Sequence, residues 1–330
     1  MENKKRMLSG IKPTGKLTLG NYIGAIKQFI TYQEEYEMFV FIADLHSLTL
    51  PIDPKELRQN TKDLISIYLA CGLDPEKVVL FKQSDVHEHA ELGYIMACNS
   101  NMGELSRMTQ YKDKTAKIGN NESIPTGIYI YPTLMAADIL LYDPDYIPVG
   151  VDQKQHVELT RDLAIRFNSR YSDTFKVVEP VTAKTGAKIN SLANPNKKMS
   201  KSESDKGTIY LLEDLAITRK KIMSAVTDSD TSIVFDMENK PGISNLLTIM
   251  SALTNEDVND IAARYNGQGY GTFKKAVADV VCAELEVLQA KVKEIQASGI
   301  IDKVLEDGAM KASYVARKKL SKVYRKVGLR

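Results

Sequence analysis

Short apolar runs alternate with helical patterns over the first part of the chain, to about residue 200. The runs at 6–9, 38–43, 78–82 and 146–149 have the length and composition of buried strands. Between the second and third runs, a helix is predicted at about 53–71, because Asp-Pro provides a cap and a first-turn proline and a glycine follows its end. This alternation predicts an α/β fold with a doubly wound parallel sheet.

The pattern changes after about residue 206. Apolar residues there recur at intervals of three and four, as on one face of a helix. We therefore predict two domains, a sheet domain at 1–206 and an α-helical domain at 207–330. The clearest helical stripe consists of Val277, Val281, Leu285, Leu288, Val292 and Ile295.

Composition excludes several classes of protein. In 330 residues no apolar run reaches the roughly 20 residues of a membrane span, and no signal-peptide core follows the basic residues 4–6. Cys71, Cys98 and Cys282 are scattered and form no Cys-x-x-Cys pair, so neither a disulfide framework nor a zinc site is predicted. We expect a cytoplasmic protein with no membrane partner and no metal held by its own side chains.

Positive charge is concentrated at the C-terminal end. The net charge is only +2, yet 311–330 contains eight basic residues and no acidic one. From charge alone, a solvated helix face is the more common explanation, and a contact with RNA is the alternative.

Two distant segments indicate a nucleotide site. The chain reads Pro-Thr-Gly-Lys-Leu-Thr-Leu-Gly-Asn at 13–21 and Lys-Met-Ser-Lys-Ser at 198–202. The first has the glycine spacing of a P-loop, but Asn21 and Tyr22 stand where Lys and Ser or Thr are required, which excludes Walker A. What remains is a strand, a turn and a helix start that a nucleotide can approach. The second segment follows a turn-forming stretch, and its lysines can move over a ligand.

Together these segments resemble the signatures of class I aminoacyl-tRNA synthetases, since 198–202 reads KMSKS and Thr-Leu-Gly-Asn at 18–21 stands in place of HIGH. The middle of the chain, at 131–142 and 150–156, is similar to bacterial-type tryptophanyl-tRNA synthetases. So are 103–105, 107–110, 224–229 and 240–245, and the resemblance covers nearly the whole chain.

The resemblance implies a Rossmann-like catalytic domain and an anticodon-binding helical domain. It also implies a two-step reaction: L-tryptophan and ATP, with Mg²⁺, give tryptophanyl-adenylate and pyrophosphate, and the tryptophanyl group then passes to the 3′ end of tRNA(Trp). A homodimer is implied as well, with part of its contact in an insertion at about 85–140.

The same resemblance assigns an amino-acid pocket. Asp138 corresponds to the family's acceptor of the indole N–H, a role that suits a carboxylate because indole offers one donor and no acceptor. Tyr131 and Gln153 would hold the α-amino group. The residues that would line or border the ring slot are Met135, His46, Leu8 and Val149.

For ATP, the resemblance indicates both signatures and two short segments between them. Lys198, Lys201 and Lys114 are the expected catalytic residues, because ammonium groups stabilise the negative charge that gathers on the α-phosphate and the departing pyrophosphate. The expected ATP contacts are Lys12, Pro13, Thr14, Gly20, Asn21, Gly150, Val151, Asp152, Ile189, Lys198, Met199, Ser200, Lys201 and Ser202.

Three positions depart from the family pattern. Leu8 stands where relatives commonly have Phe, Lys12 where they commonly have Gln, and Val151 where many have Glu. These differences are expected to change affinity and inhibitor response and to leave the reaction intact. The histidines at 87, 89 and 156 are interpreted as structural and stay outside the predicted site.

Three alternatives remain open. The same fold could act on tyrosine, although the Met-Ala-Ala-Asp context of Asp138 argues against a pocket for a phenol. A catalytically silent paralogue that binds RNA would be expected to carry damage in one of the two signatures, and both are intact. Other adenylyl-transferring enzymes of this superfamily are usually shorter and lack the helical domain.

Overall fold

The computed structural model describes residues 4–118, 123–150, 153–178, 181–182, 186–200 and 205–330. Its central sheet has three parallel strands in the order β1-β2-β3, with bounds Arg6–Ile11 (β1), Glu37–Ile42 (β2) and Val78–Lys82 (β3). A second parallel pair consists of Pro148–Val149 (β4) and Val181–Thr182 (β5). All four strands predicted from the sequence are present.

The strand order reverses beside β1. Met7 makes a parallel bridge with Tyr146, and Leu8 N donates to Tyr146 O at 3.1 Å, so the chain that enters β4 lies against β1. From β1 the chain first proceeds to β2 and β3 on one side and later returns to the other side. At such a reversal the connections diverge from the carboxyl ends of the strands and leave a crevice, which is where open α/β sheets bind ligands.

Both faces of the sheet are covered, as a doubly wound fold requires. Met38, Val40 and Ile42 of β2 belong to one buried cluster, whereas Phe39 and Phe41 belong to another. Successive side chains of a strand point to opposite faces, so the two clusters are the two sides of one sheet. The α/β prediction is confirmed.

The helix after β2 begins as its sequence predicts. Asp53 accepts from the backbone N–H groups of Lys55 and Glu56, at 2.8 and 3.0 Å, and Pro54 occupies the first turn. The first and second helices are joined by one wide π-helical turn, Tyr22–Ile26. In the sheet domain the helices are Leu19–Asn21 (α1), Lys27–Glu35 (α2), Pro54–Ala70 (α3), Glu88–Asn99 (α4), Met102–Ser106 (α5), Thr109–Ile118 (α6), Thr126–Leu140 (α7) and Lys154–Arg170 (α8).

The remainder of the chain is helical, as predicted. The apolar stripe predicted at 277–295 lies in the helix Tyr270–Ser298 and packs inward. Of its six residues, only Ile295 is partly exposed. The helices are Leu215–Met223 (α9), Pro241–Thr254 (α10), Val258–Tyr265 (α11), Tyr270–Ser298 (α12) and Ile300–Val327 (α13). In the described part of the chain, no helix has the length and apolarity needed to cross a membrane.

The last helix, α13, returns to the sheet. Val304 and Leu305, near its start, belong to the cluster on one face of the sheet, whereas Ala312 and Ala316, farther along, belong to the cluster on the other face. Between them, Gly308 lies so close to β3 that an added Cβ would stand 1.8 Å from Leu80 O. The helix therefore passes around the outer edge of β3. The division into domains at residue 206 stays a prediction, and α13 packs on both parts.

Candidate active site

A cavity of about 370 Å³ opens at the reversal of strand order, beside the carboxyl ends of β1 and β4. This volume lies in the range of small-molecule sites. The structure brings together in it all seven residues that the sequence predicts for tryptophan, along with Lys12, Lys114 and Gly150 from the ATP prediction. Its lining consists of Leu8, Ser9, Gly10, Lys12, Phe41, Ala43, His46, Thr49, Gln110, Lys114, Tyr131, Met135, Asp138, Ile139, Ile147, Pro148, Val149, Gly150 and Gln153.

Asp138 is the one carboxylate among the described residues that line the cavity. It lies in α7 and is 1% exposed. Its Oδ1 accepts from Gln83 Nε2 at 2.7 Å and lies 2.6 Å from His89 Nδ1, and its Oδ2 lies 2.8 Å from His46 Nε2. The acceptor is thus already oriented by side chains from two other segments.

These contacts keep Asp138 ionised. Burial alone would raise the pKa of its carboxyl group, but the hydrogen bonds from His46 and His89 outweigh burial and lower that pKa to about 2. At neutral pH the cavity therefore presents a carboxylate that can only accept hydrogen bonds.

The wall beside Asp138 is aromatic. The rings of His46 and Tyr131 meet edge to face with centroids 6.2 Å apart. Tyr131 Oη in turn lies 2.8 Å from Nε2 of the buried His156. This histidine thus holds a side chain of the cavity wall, a contact that the sequence analysis did not predict.

Two lysines contribute positive charge to the cavity. Lys114 Nζ lies 4.1 Å from the centre of the Tyr131 ring, within cation–π range. Burial, followed by repulsion from Lys114, lowers the pKa of Lys12 to about 8. Burial also lowers the pKa of Lys114. Partial burial of two cations side by side favours an anionic ligand between them.

The N-terminal signature forms a rigid turn. Gly15 has a φ of +66°, in the region that favours glycine. Thr18 and Asn21 form a capping box: Thr18 Oγ1 accepts from Asn21 N at 3.2 Å, and Asn21 Oδ1 accepts from Thr18 N at 3.0 Å. The Asn21 side chain thus holds the start of α1, while Lys12 and Pro13 also line a smaller cavity of about 150 Å³ next to the turn.

The two signatures are in contact. A Cβ on Gly20 would lie 3.5 Å from Cβ of Met199. Met199 N donates to Ile189 O at 2.9 Å, and both side chains are buried, so only their backbone can meet a ligand. Lys198 is exposed, and Ser200 O accepts from Thr208 Oγ1 at 3.1 Å. Thr14 N donates to Lys12 O. The predicted site residues Val151, Asp152, Lys201 and Ser202 lie outside the described residues.

Sequence reasoning missed Gln83, His89 and His156. Gln83 directly follows β3, and a polar residue at the carboxyl end of a parallel strand is a signal that could have found it. His89 and His156 lie near the starts of α4 and α8. No sequence pattern separated them from structural histidines.

Comparison with known proteins identifies the family to which the chain belongs. The family model for tRNA synthetases class I (W and Y) matches residues 1–286. The tryptophan–tRNA ligase of Caldanaerobacter subterraneus subsp. tengcongensis is 50% identical over 326 residues, 98% of each chain. The Bacillus subtilis ligase is 50% identical over 327 residues, which are 99% of this chain and 98% of that protein.

Two solved structures extend the comparison. Tryptophanyl-tRNA synthetase from Mycoplasma pneumoniae has a TM-score of 0.86 at 42% identity and covers 99% of this chain and 98% of its own. The Campylobacter jejuni enzyme, complexed with ADP and tryptophan, has a TM-score of 0.87 at 37% identity and covers 98% of this chain and 100% of its own. The chain therefore belongs to the class I tRNA synthetases for tryptophan and tyrosine, and its activity is that of a tryptophan–tRNA ligase.

Proposed function

We propose that the cavity at the carboxyl ends of β1 and β4 binds L-tryptophan and that the adjoining signatures bind ATP, so that tryptophanyl-adenylate forms where the two meet. The observation that carries this proposal is the buried, ionised Asp138 in a cavity lined mainly by apolar and aromatic side chains. The solved relative from Campylobacter jejuni was complexed with ADP and tryptophan.

In this proposal each end of the amino acid has its own partners. The indole N–H donates to Asp138, while the ring lies between Leu8, Met135 and Val149. Tyr131 and Gln153 hold the α-amino group. Lys12 lies within electrostatic range of Lys114. It binds either the substrate carboxylate or the α-phosphate of ATP, which the carboxylate attacks.

The ATP phosphates meet Lys12, Lys114 and Lys198 in this proposal, together with Lys201 and Ser202. The adenosine part of ATP lies against Gly20, Gly150 and the backbone at 189–200. Val151 and Asp152 contact it as well. The described residues contain no group of three or more acidic, histidine or cysteine side chains able to hold a metal ion. Mg²⁺ would therefore arrive on the phosphates of ATP, which are its usual ligands together with water.

The helices at 207–330 would bind the anticodon of tRNA(Trp). Part of the basic C-terminal charge holds α13 in place, because Arg317 pairs with Glu88 at 3.0 Å and Lys319 pairs with Asp143. Lys311, Lys318 and Arg325 are exposed and remain candidates for contacts with RNA. The ion pairs within the chain are a third use of the basic charge, beside the solvated helix face and the contact with RNA that the sequence left open.

A homodimer is supported by exposed apolar side chains around the predicted insertion at 85–140. Leu48, Tyr94, Met102 and Ile130 are 63%, 74%, 76% and 44% exposed, and three of them, Leu48, Tyr94 and Ile130, line one groove. A contiguous exposed apolar surface of this kind marks an interaction site. A second copy of the chain is the proposed partner for this surface, and a cytoplasmic location is proposed with it.

Amino-acid-dependent ATP–pyrophosphate exchange tests the assignment. With Mg²⁺ present, tryptophan should support exchange and tyrosine should not, and Lys201→Ala should lower the rate by at least tenfold because it removes a charge from the transition state. Lys303→Ala, a change at an exposed lysine of α13, serves as the control and should match the unmodified protein.

Each other outcome has a definite meaning. Exchange with tyrosine alone would contradict the role of Asp138. The absence of exchange with either amino acid, from folded protein, would favour the RNA-binding paralogue.

The pH dependence of tryptophan binding tests Lys12. Below its pKa of about 8 the side chain is charged and attracts an anion; above it, the attraction is lost unless the ligand holds the proton in place. The KM for tryptophan at saturating ATP is therefore expected to rise between pH 8 and 9.5. Lys12→Gln should have a higher KM at pH 7 and a smaller rise. An identical rise in both proteins would assign it to the substrate amino group and contradict the role of Lys12.

A further inference from the structure

Asp138 has four lone-pair positions, and its two oxygens use them unequally. Among the residues that the structure describes, Gln83 and His89 contact Oδ1, whereas His46 alone contacts Oδ2. His46 lines the cavity, but Gln83 and His89 do not. Oδ2 is therefore the oxygen on the cavity side, and it keeps one acceptor position for a ligand.

The two partners of Oδ1 are completely enclosed. Gln83 and His89 are each 0% exposed. Because an ionised carboxylate cannot donate, the hydrogen shared with His89 lies on Nδ1. The distance of 2.6 Å places it among the short, charge-assisted hydrogen bonds.

His89 is held from its other side. Its Nε2 lies 2.8 Å from Oη of Tyr142, which is also 0% exposed. The His89 ring is packed against Phe41, Phe81 and Tyr142, with centroids 5.6, 5.9 and 5.5 Å away. Burial first, and then Asp138, raises the pKa of Tyr142, so the phenol keeps its proton and can donate it to Nε2.

We propose that His89, held by Tyr142, is a positioning residue that fixes Oδ2 of Asp138 toward the cavity and thereby sets the selection of a ring that carries an N–H donor. This inference rests on the proposed role of Asp138. Without His89 the carboxylate can rotate about its χ2 bond, and Oδ2 then points toward the cavity for only part of the time. A hydrogen bond from an N–H group in the cavity to Oδ2 is therefore weaker.

The test removes the donor from the substrate as well as from the protein. β-(3-Benzothienyl)alanine has nearly the shape of tryptophan but carries sulfur in place of the N–H. The unmodified protein is expected to prefer tryptophan in kcat/KM for pyrophosphate exchange by about 10- to 100-fold, the effect of one hydrogen bond to a charged group.

In His89→Leu this preference should fall to less than about fivefold, through a higher KM for tryptophan with little change for the analogue or for ATP. His89→Asn should restore most of it, because the Asn amide nitrogen can occupy the position of Nδ1. A merely structural role would lower kcat/KM for both substrates equally, and that result would overturn the proposal.

Tyr142→Phe provides a second route should His89→Leu fail to fold. It removes one oxygen and should lower the preference several-fold, while Tyr68→Phe, a change at another buried tyrosine, should leave the preference unchanged. An unchanged preference in Tyr142→Phe would overturn the part assigned to Tyr142. If the unmodified protein itself shows no preference, Asp138 does not bind the N–H, and the proposed role of Asp138 fails together with this inference.

Discussion

The Asp138→Asn substitution is expected to lower kcat/KM for tryptophan in pyrophosphate exchange by about two to three orders of magnitude. Two of the four acceptor positions of the carboxylate are lost, although Gln83, His46 and His89 already use three. When tryptophan binds with the carboxamide nitrogen facing it, that nitrogen and the indole N–H are both buried as donors without an acceptor, at about 1–3 kcal/mol each. Together these effects correspond to about 3–4 kcal/mol, at about 1.4 kcal/mol per tenfold change.

Stability provides a second measurement on the same variant. The carboxamide nitrogen of the variant cannot accept the hydrogen bonds that the carboxylate accepts from Gln83, His46 and His89. Because a buried donor is then left unpaired, the midpoint of thermal unfolding should also fall. Asp279→Asn is the matched control, since Asp279 is a surface residue paired with Arg219 and its side chain is 54% exposed. A folded Asp138→Asn protein with kcat/KM within threefold of the unmodified value would contradict the assignment of the amino-acid pocket.

The Gly308→Ala substitution is expected to destabilise the protein by about 3 kcal/mol and to lower the unfolding midpoint by roughly 6–10 °C. Helix propensity alone predicts the opposite sign, because alanine favours a helix interior by about 1 kcal/mol over glycine. The new Cβ would stand 1.8 Å from Leu80 O, a backbone atom that cannot rotate away. Packing therefore dominates, and α13 must move from β3.

Gly271→Ala is the matched control for Gly308→Ala. Gly271 is near the start of α12, and a Cβ there would meet no atom within 4 Å. That variant should be as stable as the unmodified protein or slightly more so. Equal midpoints for both alanine variants would show that the close approach of α13 to β3 is absent in solution.

The sequence predicts the sheet well because its signal is local. Successive residues of one strand point to opposite faces of the sheet, so the sequence 38–42 identifies the residues of each face. Met38, Val40 and Ile42 lie on one face, and Phe39 and Phe41 lie on the other. The apolar face of α12 is likewise readable from its spacing of three and four. The placement of the pocket residues came from similarity to a family, and their meeting in one cavity follows from the reversal of strand order beside β1.

What the sequence could not give is the choice of partner between distant elements. Asp138 and His89 are 49 positions apart, and neither spacing nor composition relates them. The basic segment at 311–330 has the same composition whether its charges face solvent or, as for Arg317, pair with Glu88 of another helix. The course of α13 around β3 depends on the absence of a single side chain at Gly308, which no periodicity reveals.

The position of α13 has a consequence for the growing chain. The outer edge of β3 carries peptide groups that another strand could pair with, and α13, which covers this edge, follows β3 much later in the chain. Until α13 packs on this edge, β3 can pair with a strand of another molecule, so the docking of α13 protects the folding chain from association.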